Sequence, residues 1–171
     1  MKLSYFTMPL HPPERNYAET LKEDREAFIL ADQLGYEEAF VGEHVTDRAE
    51  TITSCLMFLA SLATDTKNIK LGSGTVNLPL THPVIVAAQV AMIDNLLEGR
   101  FLFGISPGGL LSDAEALGVL EADRNEMFVE GIDHVLALWR EEAPYNLTGK
   151  YWNISTEKTL MPEIGQGAIL R

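Results

Sequence analysis

Cysteine is nearly missing from this chain. Cys55 is the single one among 171 residues, so no internal disulfide can form. It lies in the apolar run Cys55-Leu56-Met57-Phe58-Leu59-Ala60 with no electropositive neighbour, and reads as a small buried hydrophobe and not a nucleophile. Basic residues are also scarce: 13 Lys and Arg stand against 25 Asp and Glu, a net charge of −12. That balance speaks against nucleic acid, which is bound through phosphate neutralisation, and against an anionic membrane surface. No apolar run approaches the ~18 residues of a membrane span. The N-terminus, Met1 to Phe6 followed by Pro9, His11, Pro12 and Pro13, lacks the form of a signal peptide. The expected compartment is the reducing cytoplasm. No His-Glu-x-x-His and no Cys/His cluster occurs, so no metal site is expected.

What the chain does have is a repeat. Apolar strand cores read Lys2–Phe6, Glu37–Gly42, Ile69–Val76 and Phe101–Ser106, and a helical pattern follows each one. Alternating strand–helix units build a parallel sheet, because parallel strands need a crossover connection. A closed eight-unit barrel takes about 250 residues. With 171 residues the chain has room for half of one, or for a complete smaller open sheet of the flavodoxin kind.

Local signals mark the helices. Asn16 is an N-cap with Glu19 three residues on, and Gly35 stops that first helix. The second helix is expected over 53–64. Pro83 opens the third, and the fourth is expected over 126–142 after a polar loop reaching Asn125. Tyr145–Ser155, centred on Thr148-Gly149, reads as a hairpin.

In parallel strand–helix folds the reactive side chains gather at the C-terminal strand ends, where the following loops open on one face. The candidates are therefore Phe6–Met8, Glu43-His44, Thr75–Asn77 and Ser106–Gly109. In a barrel they would converge on one mouth. His44 is the sharpest of them, since a strand-end histidine can hold or donate a proton near neutral pH. His82, at a helix start, and His134, within the fourth helix, are expected to be structural. Gly72-Ser73-Gly74 opens like a dinucleotide fingerprint, but Asn77 stands where the third glycine would fall, and the glycines lie inside a strand. Asp94 and Glu98 read as a solvated helix face, and Trp139 and Trp152 as packing residues.

Several segments together resemble the bacterial luciferase-like flavin monooxygenases, over about residues 1–165. They are Gly42-Glu43-His44-Val45-Thr46, Ile69 to Pro79 with His82-Pro83, Ala87 to Asp94, Glu98-Gly99-Arg100-Phe101, Gly104 to Gly108, and Gly149-Lys150-Tyr151-Trp152. The resemblance implies a (β/α)8 barrel of which residues 1–171 form the N-terminal half, with four parallel strands. It also implies an enzyme that uses reduced FMN and O2 to oxidise a small organic substrate, with reduced FMN supplied by a separate reductase. His44 would then be the catalytic residue facing the flavin. Thr75, Val76 and Asn77, with Ser106, Pro107 and Gly108, would pack against its ring, and Phe6 and Met8 would line the substrate side.

Members of that family are about twice this long, so the phosphate grip, common in the last loops of such barrels, is expected outside these residues and the segment alone is expected to be inactive. An F420-dependent hydride-transfer enzyme of the same superfamily is the alternative. From another class comes a non-catalytic half-barrel that self-associates, and a homo-oligomer is expected because open sheet edges and apolar faces favour association.

Overall fold

A computed structural model describes residues 2–159. The elements run β1 (Ser4–Thr7), α1 (Tyr17–Gln33), β2 (Glu38–Val41), α2 (Cys55–Ala60), β3 (Lys70–Ser73), β4 (Val76–Asn77), a single 3-10 turn (Leu78–Leu80) and α3 (Pro83–Leu96). They continue with β5 (Phe101–Leu102), β6 (Ile105–Ser106), α4 (Leu111–Ala116), α5 (Arg124–Arg140), β7 (Asn146–Thr148) and β8 (Asn153–Ser155). The main sheet has the order β1-β2-β3-β5, every pair parallel. Strand order therefore follows chain order, as in a barrel. A doubly wound sheet would reverse direction at a switch point. The fold is a parallel α/β half-barrel, and the flavodoxin-like order does not occur.

The chain divides into two compact units. Among the described residues, one comprises 2–76 together with Leu96–Ile105, the other Asn77–Asn95 together with 106–159. In the first, Asn16 caps α1 by accepting from the N–H groups of Ala18 and Glu19, and Gly35 follows the helix at φ +78°. Thr20, Asp24, Phe28 and Ala31 form the buried stripe of α1. Phe28 meets Tyr5 of β1 edge-on at 5.3 Å and Phe58 of α2 at 5.3 Å. One face of the sheet thus lies under aromatic packing; Phe28→Ala should cost about 3–5 kcal/mol. Parallel register sets Phe6, Phe40, Gly72 and Leu102 in one row on the other face, with Ser4, Glu38 and Lys70 in the row before it.

The sequence suggested continuous strands over 69–76 and 101–106. Both are interrupted. The Ser73 hydroxyl donates to Gly104 O at 2.8 Å and accepts from Gly104 N at 2.9 Å. A side chain takes both backbone groups that the ladder would have used, and pairing resumes as β4 with β6. A Cβ on Gly104 would lie 2.2 Å from Ser73 O, so only glycine allows the exchange. The second helix is shorter than expected. After Ala60 the hydroxyls of Ser61 and Thr66 donate to Phe58 O and Leu62 O, and such local bonds compete with helix continuation. Within the stretch expected to be loop, α4 forms and ends before Gly118 at φ +74°.

In the second unit His82 accepts from Val84 N through Nδ1 and starts α3. Asp94 is 4 % exposed, on the buried side of α3, and so is not part of a solvated face; Glu98 is exposed. The expected hairpin is present as antiparallel β7–β8, with Leu147 opposite Ile154. Trp139 Nε1 donates to Ala87 O at 3.1 Å, a packing role as expected. No helix among the described residues is long and apolar enough to cross a membrane.

Candidate active site

The proposed positions fall in both units, and each unit is described by itself. In the first, Phe6 ends β1 but for one residue and is 61 % exposed. Its ring stands against the end of β3, where a Cβ on Gly74 would come within 2.9 Å of the ring edge. Met8 lies against the end of β2, 2.9 Å from where a Cβ on Gly42 would sit. Glycine at these two strand ends lets apolar side chains approach bare backbone. The Gly74–Thr75 peptide is cis. Thr75 is half-buried, and Val76 is buried with its N–H donating to Gly104 O at 2.9 Å.

His44 follows β2 by three residues and is partly buried. Its loop is closed at both ends. Glu43 turns its carboxylate onto Cys55 N at 2.9 Å, where an acidic group suits a helix start, and His44 N donates to Ile52 O at 3.1 Å. Inside the loop, Asp47 Oδ1 accepts from Ala49 N and Glu50 N. Nε2 of His44 faces Glu50 Oε2 at 3.6 Å, with side-chain exposures of 17 % and 19 %.

In the second unit Asn77, Ser106 and Gly108 form a connected set. The Ser106 hydroxyl donates to Asn77 Oδ1 at 2.6 Å and accepts from Gly108 N at 3.2 Å. Asn77 is buried, and Gly108 adopts φ +80°. The hydroxyl thus serves the turn itself, and Pro107 beside it is half-buried. Gly109 adds open space, with nothing within 4 Å of where a Cβ would be.

Sequence reasoning missed three groups. Nε2 of His11 meets both carboxylate oxygens of Asp24, at 3.0 and 3.1 Å, tying the proline-rich loop to α1. Burial holds the Asp24 carboxyl above its ordinary range, and the hydrogen bonds from His11 only partly offset it. A carboxylate in the apolar stripe of α1 was the available signal. Asp32 accepts three backbone N–H groups, from Lys67, Asn68 and Ile69, and orients the entry to β3. Ser73 left no sequence trace of its exchange with Gly104. Cys55 is fully buried, and burial, then the nearby Glu43, push its thiol far up, so it is inert as expected. Among the described residues no group of three or more His, Cys, Asp or Glu could hold a metal ion.

The sequence profile of luciferase-like monooxygenases matches residues 1–169. The chain belongs to that family. A luciferase-like relative, the 4-hydroxyprotoasukamycin monooxygenase of Streptomyces nodosus subsp. asukaensis, is 38 % identical over 139 residues, which is 81 % of this chain and 38 % of that protein. The oxygenating constituent of 3,6-diketocamphane monooxygenase from Pseudomonas putida, solved in complex with FMN, superposes with a TM-score of 0.87 at 26 % identity, covering 94 % of this chain and 45 % of its own. An F420-dependent secondary alcohol dehydrogenase superposes with a TM-score of 0.72 at 20 % identity over 90 % of this chain and 46 % of its own, a likeness of fold alone. The luciferase-like segment thus spans less than half the length of these relatives.

Proposed function

We propose that residues 1–171 form the N-terminal half of a flavin-dependent monooxygenase barrel, which oxidises a small organic substrate with reduced FMN and O2 in the cytoplasm. One observation carries the proposal. In a chain matched by the luciferase-like family over residues 1–169, four parallel strands lie in chain order and each candidate residue sits at a C-terminal strand end. The relative solved with FMN supports the choice of cofactor. A separate reductase supplies the reduced flavin.

The residues present suit a flat ring. Gly74 to Asn77 and Ser106 to Gly109 offer backbone, small side chains and the Pro107 ring, and no Lys or Arg stands in either segment. Thr75, Val76 and Asn77, with Ser106, Pro107 and Gly108, would hold the ring, and the FMN phosphate would need a basic or helix N-terminal site elsewhere. Reduced FMN, when bound, supplies two electrons, so that one atom of O2 enters the substrate and the other leaves as water. His44 holds or moves a proton beside that chemistry through its ring nitrogen. Phe6 and Met8 present apolar surface that orients an organic substrate and excludes water.

The segment by itself should bind FMN weakly and not turn over. Among the described residues its sheet ends at β1 and β5, and such edges favour a homo-oligomer or closure by further units. The test is a cofactor titration and product assay in an enzyme carrying this segment in a complete eight-unit barrel. Binding of FMN over F420, with product formed only when reduced FMN and O2 are both present, is the expected outcome. Binding of F420 alone, with hydride transfer in the absence of O2, would sink the proposal. Tight FMN binding and substrate-dependent O2 uptake by the 171-residue chain would refute its incompetence alone.

A further inference from the structure

We infer that Glu50 is a positioning residue for His44. The inference rests on the monooxygenase proposal only for the reaction that the histidine serves; the pairing itself stands on the fold of the first unit.

Glu50 is held from two sides. Its backbone N–H, with that of Ala49, is gathered by Asp47 Oδ1 at 3.1 and 2.7 Å, which fixes the turn inside the loop. Its strand-like backbone forms an antiparallel bridge with Leu10, and next to it His11 N donates to Ala49 O at 2.9 Å. Just beyond, the Tyr17 hydroxyl of α1 donates to Thr51 O at 2.7 Å. The loop after β1 and the start of α1 thus both grip the segment 49–51. These ties are made by backbone groups or reach them, so they place Glu50 without using its carboxylate. The carboxylate is left directed at Nε2 of His44, 3.6 Å away and largely out of water.

At that separation the contact is electrostatic and longer than a hydrogen bond. A carboxylate there favours the tautomer with its proton on Nε2, and it selects one ring orientation. Catalytic histidines commonly need a third group to set tautomer and orientation. Glu50 fills that place here. The grip on its backbone also links the loop bearing Met8 to the loop bearing His44, so the two keep a fixed spacing.

The test starts from the 171-residue chain, in which long-range 1H–15N spectra resolve the rings of the four histidines and H44N assigns the His44 signals. In the native chain the proton should sit on Nε2, with the two ring nitrogens well separated in shift. E50A should narrow that separation most. E50Q, which keeps the size and removes the charge, should narrow it, and E50D should retain most of it. Unchanged His44 nitrogens in both E50Q and E50A, with native amide spectra, would overturn the inference.

In the complete barrel, E50Q should lower kcat about tenfold with FMN binding within about twofold, and E50D should recover most of the loss. The double variant H44N/E50Q should be no slower than H44N. If H44N leaves turnover intact, the monooxygenase role of His44 fails while the pairing seen by NMR stands. If H44N abolishes turnover and E50Q matches the native enzyme, the positioning role fails while the proposed function stands.

Discussion

Two histidines in this chain face a glutamate at nearly the same distance, His44 with Glu50 at 3.6 Å and His134 with Glu130 at 3.7 Å. They differ in what else the glutamate does. Glu130 accepts backbone N–H groups from Lys150, Tyr151 and Trp152 at 2.8–2.9 Å, and Nε2 of His134 meets Trp152 O at 3.1 Å. That pair clamps the β7–β8 hairpin onto α5 and is consumed by the fold. Glu50 is placed through its backbone, and its carboxylate is directed at the histidine. A His–Glu contact therefore says little by itself. The other partners of the carboxylate separate a clamp from a candidate site.

The largest effect that would sharpen this contrast is in stability. Glu130→Ala leaves three backbone donors without their acceptor and should cost about 3 kcal/mol in urea unfolding, whereas Glu50→Ala should cost under about 1 kcal/mol. Equal losses would break the distinction. His134→Asn, which removes one side of the same clamp from a buried position, should cost about 1–2 kcal/mol, with His44→Asn within about 0.5 kcal/mol of the native chain.

The smallest effect is on pH dependence. Burial acts to raise the Glu130 carboxyl, but its three backbone N–H partners outweigh that and hold it below the ordinary value of 4.5. Its contribution is then complete above pH 4.5 and fades as pH falls through the lower folded-state value. Glu130→Gln should flatten that part of the acid limb of the unfolding curve. An unchanged slope would mean that the three N–H bonds do not hold the carboxylate in solution.

Much of the fold was legible because it rests on local, periodic signals. The strand–helix repeat, the Asn16 cap, the Pro83 helix start and the hairpin about Thr148-Gly149 each depend on neighbours in sequence. The interruptions in the third and fourth strands were not legible, since they arise from one hydroxyl, Ser73, meeting a glycine 31 residues away. Asp94 misled because a charged residue four before Glu98 suggests an exposed face, while its burial depends on packing that sequence does not display. For the candidate site residues, the repeat located the strand ends and so named His44, Asn77 and Ser106. It could not show that Ser106 turns its hydroxyl onto Asn77, nor that a loop residue, Glu50, would be brought to His44 by a bridge to Leu10.

The central claim is that His44 serves the reaction and not the fold. The most direct test makes His44→Asn in an enzyme carrying this segment within a complete barrel, and measures unfolding, reduced-FMN affinity and product formed per reduced FMN supplied on one preparation. The account predicts an unfolding midpoint and flavin affinity close to native with product formation reduced about 100-fold. Product formation near the native level, or parallel losses in stability, flavin binding and product, would contradict it.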